Sequence, residues 1–206
     1  MRSQTVDELE NMKHGVLIYL GSGKQGKSSA LFSTVERFWP NEYKSLIETY
    51  KIDPGIFPGY HLTSNLASVP CDSVAVIEDA GRIFSARGSQ NQTLLSRYLP
   101  TISHLDVKVL ISVQSTSILD MDFFRTQRVL FMHKLVWDTD LKFERSELQE
   151  LQVTANLRIR EAMINNPGVD YRSFTYCSDY DEVLSLPLVP WWSDRQSHFL
   201  REAIAP

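Results

Sequence analysis

The sequence predicts an α/β fold built on a mostly parallel sheet with helices on its faces, and three observations carry that expectation. Short apolar runs alternate with amphipathic stretches along most of the chain, the pattern of strands joined by covering helices. The runs are continuous in Val, Ile and Leu rather than alternating with polar residues, as strands buried on both faces are. A glycine-rich turn joins the first run directly to the first amphipathic stretch.

Strands are predicted at 15 to 20 (GVLIYL), 59 to 63, 73 to 78 (SVAVIE), 107 to 113 (VKVLISV) and 128 to 132 (RVLFM). Helices are expected at 27 to 38, 42 to 49, 90 to 103 and 144 to 164. Asp53-Pro54-Gly55 and Phe57-Pro58-Gly59 mark a loop, and Asn165-Asn166-Pro167-Gly168 stops the long helix. Beyond it, Phe174 to Ser178 and Val183 to Leu186 read as strands around a turn at Asp179 to Asp181. A terminal helix capped by Ser193 and Gln196 follows.

At 206 residues with 43% hydrophobic content the chain buries one core and has no room for a second large domain. Its polar N-terminus and short apolar runs predict a soluble, cytoplasmic protein with no signal peptide and no membrane partner. Cys71 and Cys177 stand alone, without the spacing of a zinc site or a disulfide framework. The net charge of -4 argues against a protein that coats nucleic acid with its whole surface. The distribution is uneven: residues 82 to 134 hold seven basic against three acidic residues, while both flanking stretches are acidic. That basic stretch fits a narrow DNA-facing stripe or, equally, nucleotide and subunit contacts.

The strongest motif is GSGKQGKS at 21 to 28, which satisfies G-x-x-x-x-G-K-[ST] between a strand and a helix. Its glycines let the backbone wrap phosphates with N–H groups pointing inward, at a helix N-terminus whose dipole favours anions. Gly21, Ser22, Gly23, Lys24, Gln25, Gly26, Lys27, Ser28 and Ser29 form the expected cradle. Lys27 reaches the β- and γ-phosphates of ATP, and Ser28 ligates Mg2+. SVAVIEDAGRIF then places Glu78 and Asp79 at the end of a buried strand. One acid holds the metal and the other orients and deprotonates the attacking water. In VKVLISVQSTS, Gln114 ends a further buried strand, where an amide both donates to a γ-phosphate oxygen and accepts from the lytic water.

The order GSGKQGKS, VAVIEDA, VKVLISVQSTS, RVLFMHK resembles the FtsK/HerA superfamily of P-loop ATPases, over roughly residues 15 to 134. Within it the motifs look most like the small viral genome-packaging ATPases. The resemblance implies a RecA-like fold, with a single domain over 1-206 made of a motor core at about 15-134 and a C-terminal elaboration at 135-206. It implies a hexameric or pentameric ring around double-stranded DNA, with capsid vertex proteins as further partners in the host cell cytoplasm. The superfamily usually carries Asp-Glu in the acidic motif, whereas this chain has Glu78-Asp79. Register makes Glu78 the metal-side acid and Asp79 the base, although the short reach of Asp79 leaves an exchange of roles open. Relatives often show an arginine where this chain has Ser103-His104. The arginine finger is therefore assigned first to Arg97, with Arg87 and Arg128 as alternatives. The competing functions are an assembly or secretion ATPase of the zonula-occludens-toxin type, a small-molecule phosphotransferase and a non-catalytic nucleotide switch.

Overall fold

A computed structural model describes residues 2–48, 54–83, 98–116 and 128–193. Eight strands form one sheet: β1 (Gly15–Leu20), β2 (Tyr43–Ile47), β3 (His61–Thr63), β4 (Ser73–Ile77), β5 (Lys108–Val113), β6 (Val129–His133), β7 (Phe174–Cys177) and β8 (Glu182–Ser185). Their order is β3-β2-β4-β5-β1-β6-β7-β8. The first six pair in parallel, and β7 and β8 add an antiparallel margin. Two substantial helices accompany the core, α1 (Gln4–Asn11) and α2 (Lys27–Phe38). Three single turns follow: α3 (Ala80–Ile83), α4 (Ile102–Leu105) and α5 (Asp138–Leu141). The long α6 (Ser146–Asn165) packs Ala155 and Ile159 on Phe174 and Tyr176 of β7.

Successive strand residues face opposite ways, and the sheet is covered on both sides. Leu17 and Tyr19 of β1 meet Leu31, Phe32 and Val35 of α2 and Leu9 of α1. Val16, Ile18 and Leu20 meet Leu99 and Ile102 on the other side. Every residue of β1, β4 and β5 is buried, which explains their unbroken apolar runs. Trp191 and Trp192 pack edge-on or tilted against Phe32, each ring centroid 5.0 Å away, and so belong to the α2 side of the core.

The strand expectations at 15 to 20, 59 to 63, 73 to 78, 107 to 113 and 128 to 132 are met within two residues, as is the 144 to 164 helix. The expected helix at 42 to 49 is instead β2, paired in parallel with both β3 and β4. Leu46 enters one side of the core and its neighbour Ile47 the other, an alternation only a strand provides. So short a run has no period of its own, and the pairing partners decide it. The α1 helix went unrecognised. Ser3 caps it by accepting from Val6 N–H at 3.2 Å, and Glu182 gathers Ser3 Oγ, Gln4 N and Thr5 N at 2.6 to 3.0 Å. Most of the expected helix at 90 to 103, and the terminal helix beyond Ser193, lie outside the described residues.

Candidate functional site

The chain leaves β1 towards β2 on one side and passes from β5 to β6 on the other side of β1. Adjacent strands whose connections diverge open a crevice at their C-terminal ends, where open α/β sheets bind ligands. The register makes those ends level. Leu20 stands opposite Val113 of β5 and His133 of β6, so Gly21, Gln114 and Lys134 come next at one height. Ile77 of β4 faces Ile111, which brings Glu78 beside Ser112.

The loop 21 to 28 is moulded by what lies under it. A Cβ on Gly21 would come within 2.7 Å of Lys134 Cβ, and one on Gly26 within 3.0 Å of the Arg172 carbonyl oxygen. Gly26 also sits at φ 81°, the left-handed conformation that glycine tolerates, and its carbonyl begins the α2 ladder by accepting from Ala30 N–H at 2.9 Å. Lys27 Nζ donates to Ser22 O at 2.9 Å. Burial lowers the Lys27 pKa, while the charges of Glu78, Asp79 and Asp140 oppose that shift. Ser29 Oγ is buried and has no hydrogen-bond partner among the described residues.

Glu78 and Ser28 meet: the Ser28 hydroxyl donates to Glu78 Oε1. The acid-bearing β4 is separated from β1 by β5. The contact forms because α2, bound for β2, crosses β5 and carries Ser28 towards β4. Asp79 turns the chain out of β4 at φ 48°, a left-handed conformation that Asp adopts more readily than most residues, with its N–H donated to Ser112 Oγ at 2.7 Å. Gln114 is exposed directly after β5, between the loop on β1 and the acids on β4.

The genome packaging NTPase B204 from Sulfolobus turreted icosahedral virus 2, in complex with sulfate, matches with TM-score 0.51 and 11% identity over 86% of this chain and 98% of that one. EssC (ATPases 2 and 3) from Geobacillus thermodenitrificans matches with TM-score 0.52 and 10% identity over 92% of this chain and 43% of that one. The fold is that of the P-loop ATPases. At these identities the likeness is one of architecture, and it meets the expectation of a helix-flanked, mostly parallel sheet. No protein-family model matches the sequence, and no curated protein does.

Within this P-loop ATPase fold several residues reach the loop from distant sequence. Ser22, fully buried, donates its hydroxyl to Asp140 and accepts the Trp137 N–H at 2.8 Å, while its own N–H donates to Leu135 O at 3.0 Å. Thr116, two residues past Gln114, donates both its N–H and its hydroxyl to Glu144. Lys134 lies 1% exposed under Gly21 and donates to Arg172 O and Phe174 O. No motif announces these contacts, since each arises from tertiary placement.

The arginine alternatives fare unequally. Arg87 and Arg97 lie outside the described residues. Arg128 sits at the opposite, N-terminal end of β6, paired with Glu8 at 2.8 Å and donating to Tyr180 Oη at 2.8 Å. Of the basic stretch 82 to 134, Lys108 is buried against Glu42 at 2.9 Å and Lys134 is buried under the loop. Burial withdraws Lys108 and Lys134 from a DNA-facing stripe, while Arg128 stays exposed in its ion pair. Among the described residues no helix is long and apolar enough to cross a membrane.

Proposed function

We propose that the chain is an ATP-hydrolysing translocase that pumps double-stranded viral DNA into a capsid, working as a ring of identical subunits. The observation that carries the nucleotide chemistry is the Ser28–Glu78 contact, which joins a phosphate-loop hydroxyl to a strand-end carboxylate, with the half-buried Lys27 beside them and under the charge of Glu78. The packaging role draws support from the fold likeness to B204, itself a genome packaging NTPase, 98% of whose chain is covered.

In this reading Lys27 exchanges Ser22 O for the β- and γ-phosphates of ATP, and loop N–H groups with Ser29 Oγ take the remaining phosphate oxygens. Ser28 and Glu78 are hard oxygen donors suited to Mg2+, which keeps waters and needs only one or two protein ligands. Bound there, the ion would neutralise charge on the phosphates. Asp79, its backbone held by Ser112, orients a water and takes its proton. Gln114 donates to the γ-phosphate and accepts from that water.

The test is phosphate release by the full chain with and without duplex DNA. Turnover should rise with duplexes of any sequence, and the stimulation should fade as salt is raised, because the contacts are to phosphates. Lys27→Ala should reduce turnover by about 10²-fold or more while the far-ultraviolet circular dichroism stays unchanged. Retained turnover in that variant would overturn the nucleotide assignment. Insensitivity of the assembled protein to DNA at low salt would overturn the translocase.

A further inference from the structure

The segment from Trp137 to Arg145 touches both halves of the crevice, and no sequence motif marks it. At one end Asp140 accepts from Ser22 Oγ and the Trp137 N–H donates to the same hydroxyl at 2.8 Å. At the other, Glu144 is buried and accepts the Thr116 hydroxyl, the Thr116 N–H at 3.1 Å and the Arg145 N–H at 2.8 Å. Arg145 Nε returns a bond to Thr116 O at 3.2 Å, and Ser115 Oγ donates to Phe143 O at 3.1 Å. Between the two ends the backbone is bonded without a gap: Asp140 N and Leu141 N to Trp137 O, Phe143 N to Asp140 O, and Glu144 N to Leu141 O, all at 2.9 to 3.2 Å.

A carboxylate that accepts three hydrogen bonds away from water fixes its donors, because losing any one leaves a buried polar group unsatisfied. Glu144 thus fixes Thr116 and with it the course of the chain leaving Gln114. Asp140, half-buried, accepts the hydroxyl of fully buried Ser22, whose carbonyl holds Lys27. We propose that residues 137–145 form a brace that sets the spacing between the phosphate loop and Gln114, with Asp140 and Glu144 as its positioning residues. The inference rests on the nucleotide-hydrolysing reading for its catalytic consequence, and on the hydrogen bonds alone for its mechanical one.

Asparagine or glutamine at these positions keeps the size but replaces one accepting oxygen with a donor. The variants Asp140→Asn, Glu144→Gln and their combination would be compared with the parent chain by hydrogen exchange and by kinetics. A brace transmits its loss, so Glu144→Gln should speed exchange severalfold in a peptide over 20 to 28 as well as in its own neighbour, 108 to 116. Asp140→Asn should act reciprocally on 108 to 116. Displacement of catalytic groups by fractions of an ångström should lower kcat by about 10- to 100-fold with KM little changed, and the double variant should be no worse than the poorer single one. Faster exchange confined to each residue's own neighbour, or costs that multiply, would overturn the brace. A parent chain that releases no phosphate would overturn the hydrolysis reading instead, and the exchange pattern alone would then decide the brace.

Discussion

Lys134 ends among oxygens rather than carboxylates: Arg172 O at 2.6 Å, Phe174 O, and the Thr175 hydroxyl at 3.2 Å. Burial lowers its pKa to about 7, with Asp170 opposing the shift and the charge of Lys27 adding to it. In the unfolded chain the amine titrates near 10.5. Below pH 7 both forms hold the proton, and the folded one bears the full cost of a buried cation. Between pH 7 and 10.5 the unfolded chain binds more protons, so stability rises with pH across that window. In urea titrations Lys134→Met should therefore cost more at pH 9.5 than at pH 6.5, by about 2 to 4 kcal/mol. An equal cost at both would mean that Lys134 stays charged throughout. The acidic pair yields a second expectation at this scale. Glu78 is committed towards Ser28, while Asp79 is anchored, among the described residues, through its backbone N–H. Asp79→Asn should thus bind Mg-ATP yet hydrolyse it about 10²- to 10⁴-fold more slowly. Glu78→Gln should mainly raise the magnesium concentration needed, and the reverse result would exchange the two roles.

Helix α6 is docked on the end of β6 by amides. Asn156 accepts the Val136 N–H at 3.0 Å and donates to Val136 O at 2.9 Å, serving as a substitute strand partner. Gln152 Oε1 accepts from His133 Nδ1 at 2.9 Å, and its amide N–H goes to Lys134 O at 2.8 Å. Asn156→Leu would leave two buried backbone groups unpaired, with an expected loss of about 2 to 6 kcal/mol in denaturant unfolding. Leu157→Ala, one residue on and 57% exposed, should change stability by no more than about 0.5 kcal/mol. Similar losses in both would refute the docking role. The contrast also shows where the sequence was readable. β1, α2, β4 and β5 carry their identity in unbroken apolar runs and in the glycine spacing of 21 to 28, because burial on both faces and close backbone approach demand those residue types. The same motifs led to Lys27, Ser28, Glu78, Asp79 and Gln114, which the fold gathers at one end of the sheet. β2 was unreadable because KSLI is too short to show a period. Asp140, Glu144, Lys134 and Asn156 were unreadable because an ordinary polar residue reveals a buried partner only after distant chain has been brought to it.

For the whole molecule the open quantity is the positive charge that phosphoryl transfer requires beyond Lys27. The two described arginines whose contacts lie against the site are already engaged, Arg172 with Asp170 at 2.7 Å and Arg145 with Thr116 O at 3.2 Å. In the ring proposed above each interface would be heterologous, so the phosphate loop of one copy would face a different surface of the next. An arginine from that surface accelerates phosphoryl transfer by about 10³- to 10⁵-fold in enzymes that use one. Arg97 remains the first choice, on the resemblance and on its place in the basic stretch before β5. Arg97→Ala should then be inactive alone while its phosphate loop stays competent, and Lys27→Ala should be inactive while still offering a finger. In an equal mixture that assembles at random, roughly one interface in four joins an intact loop to an intact finger. Activity should return to a fraction of that order, although neither variant hydrolyses ATP by itself. Mixtures shown by mass measurement to co-assemble, yet without any recovery, would remove Arg97 from the role and send the same test to Arg87.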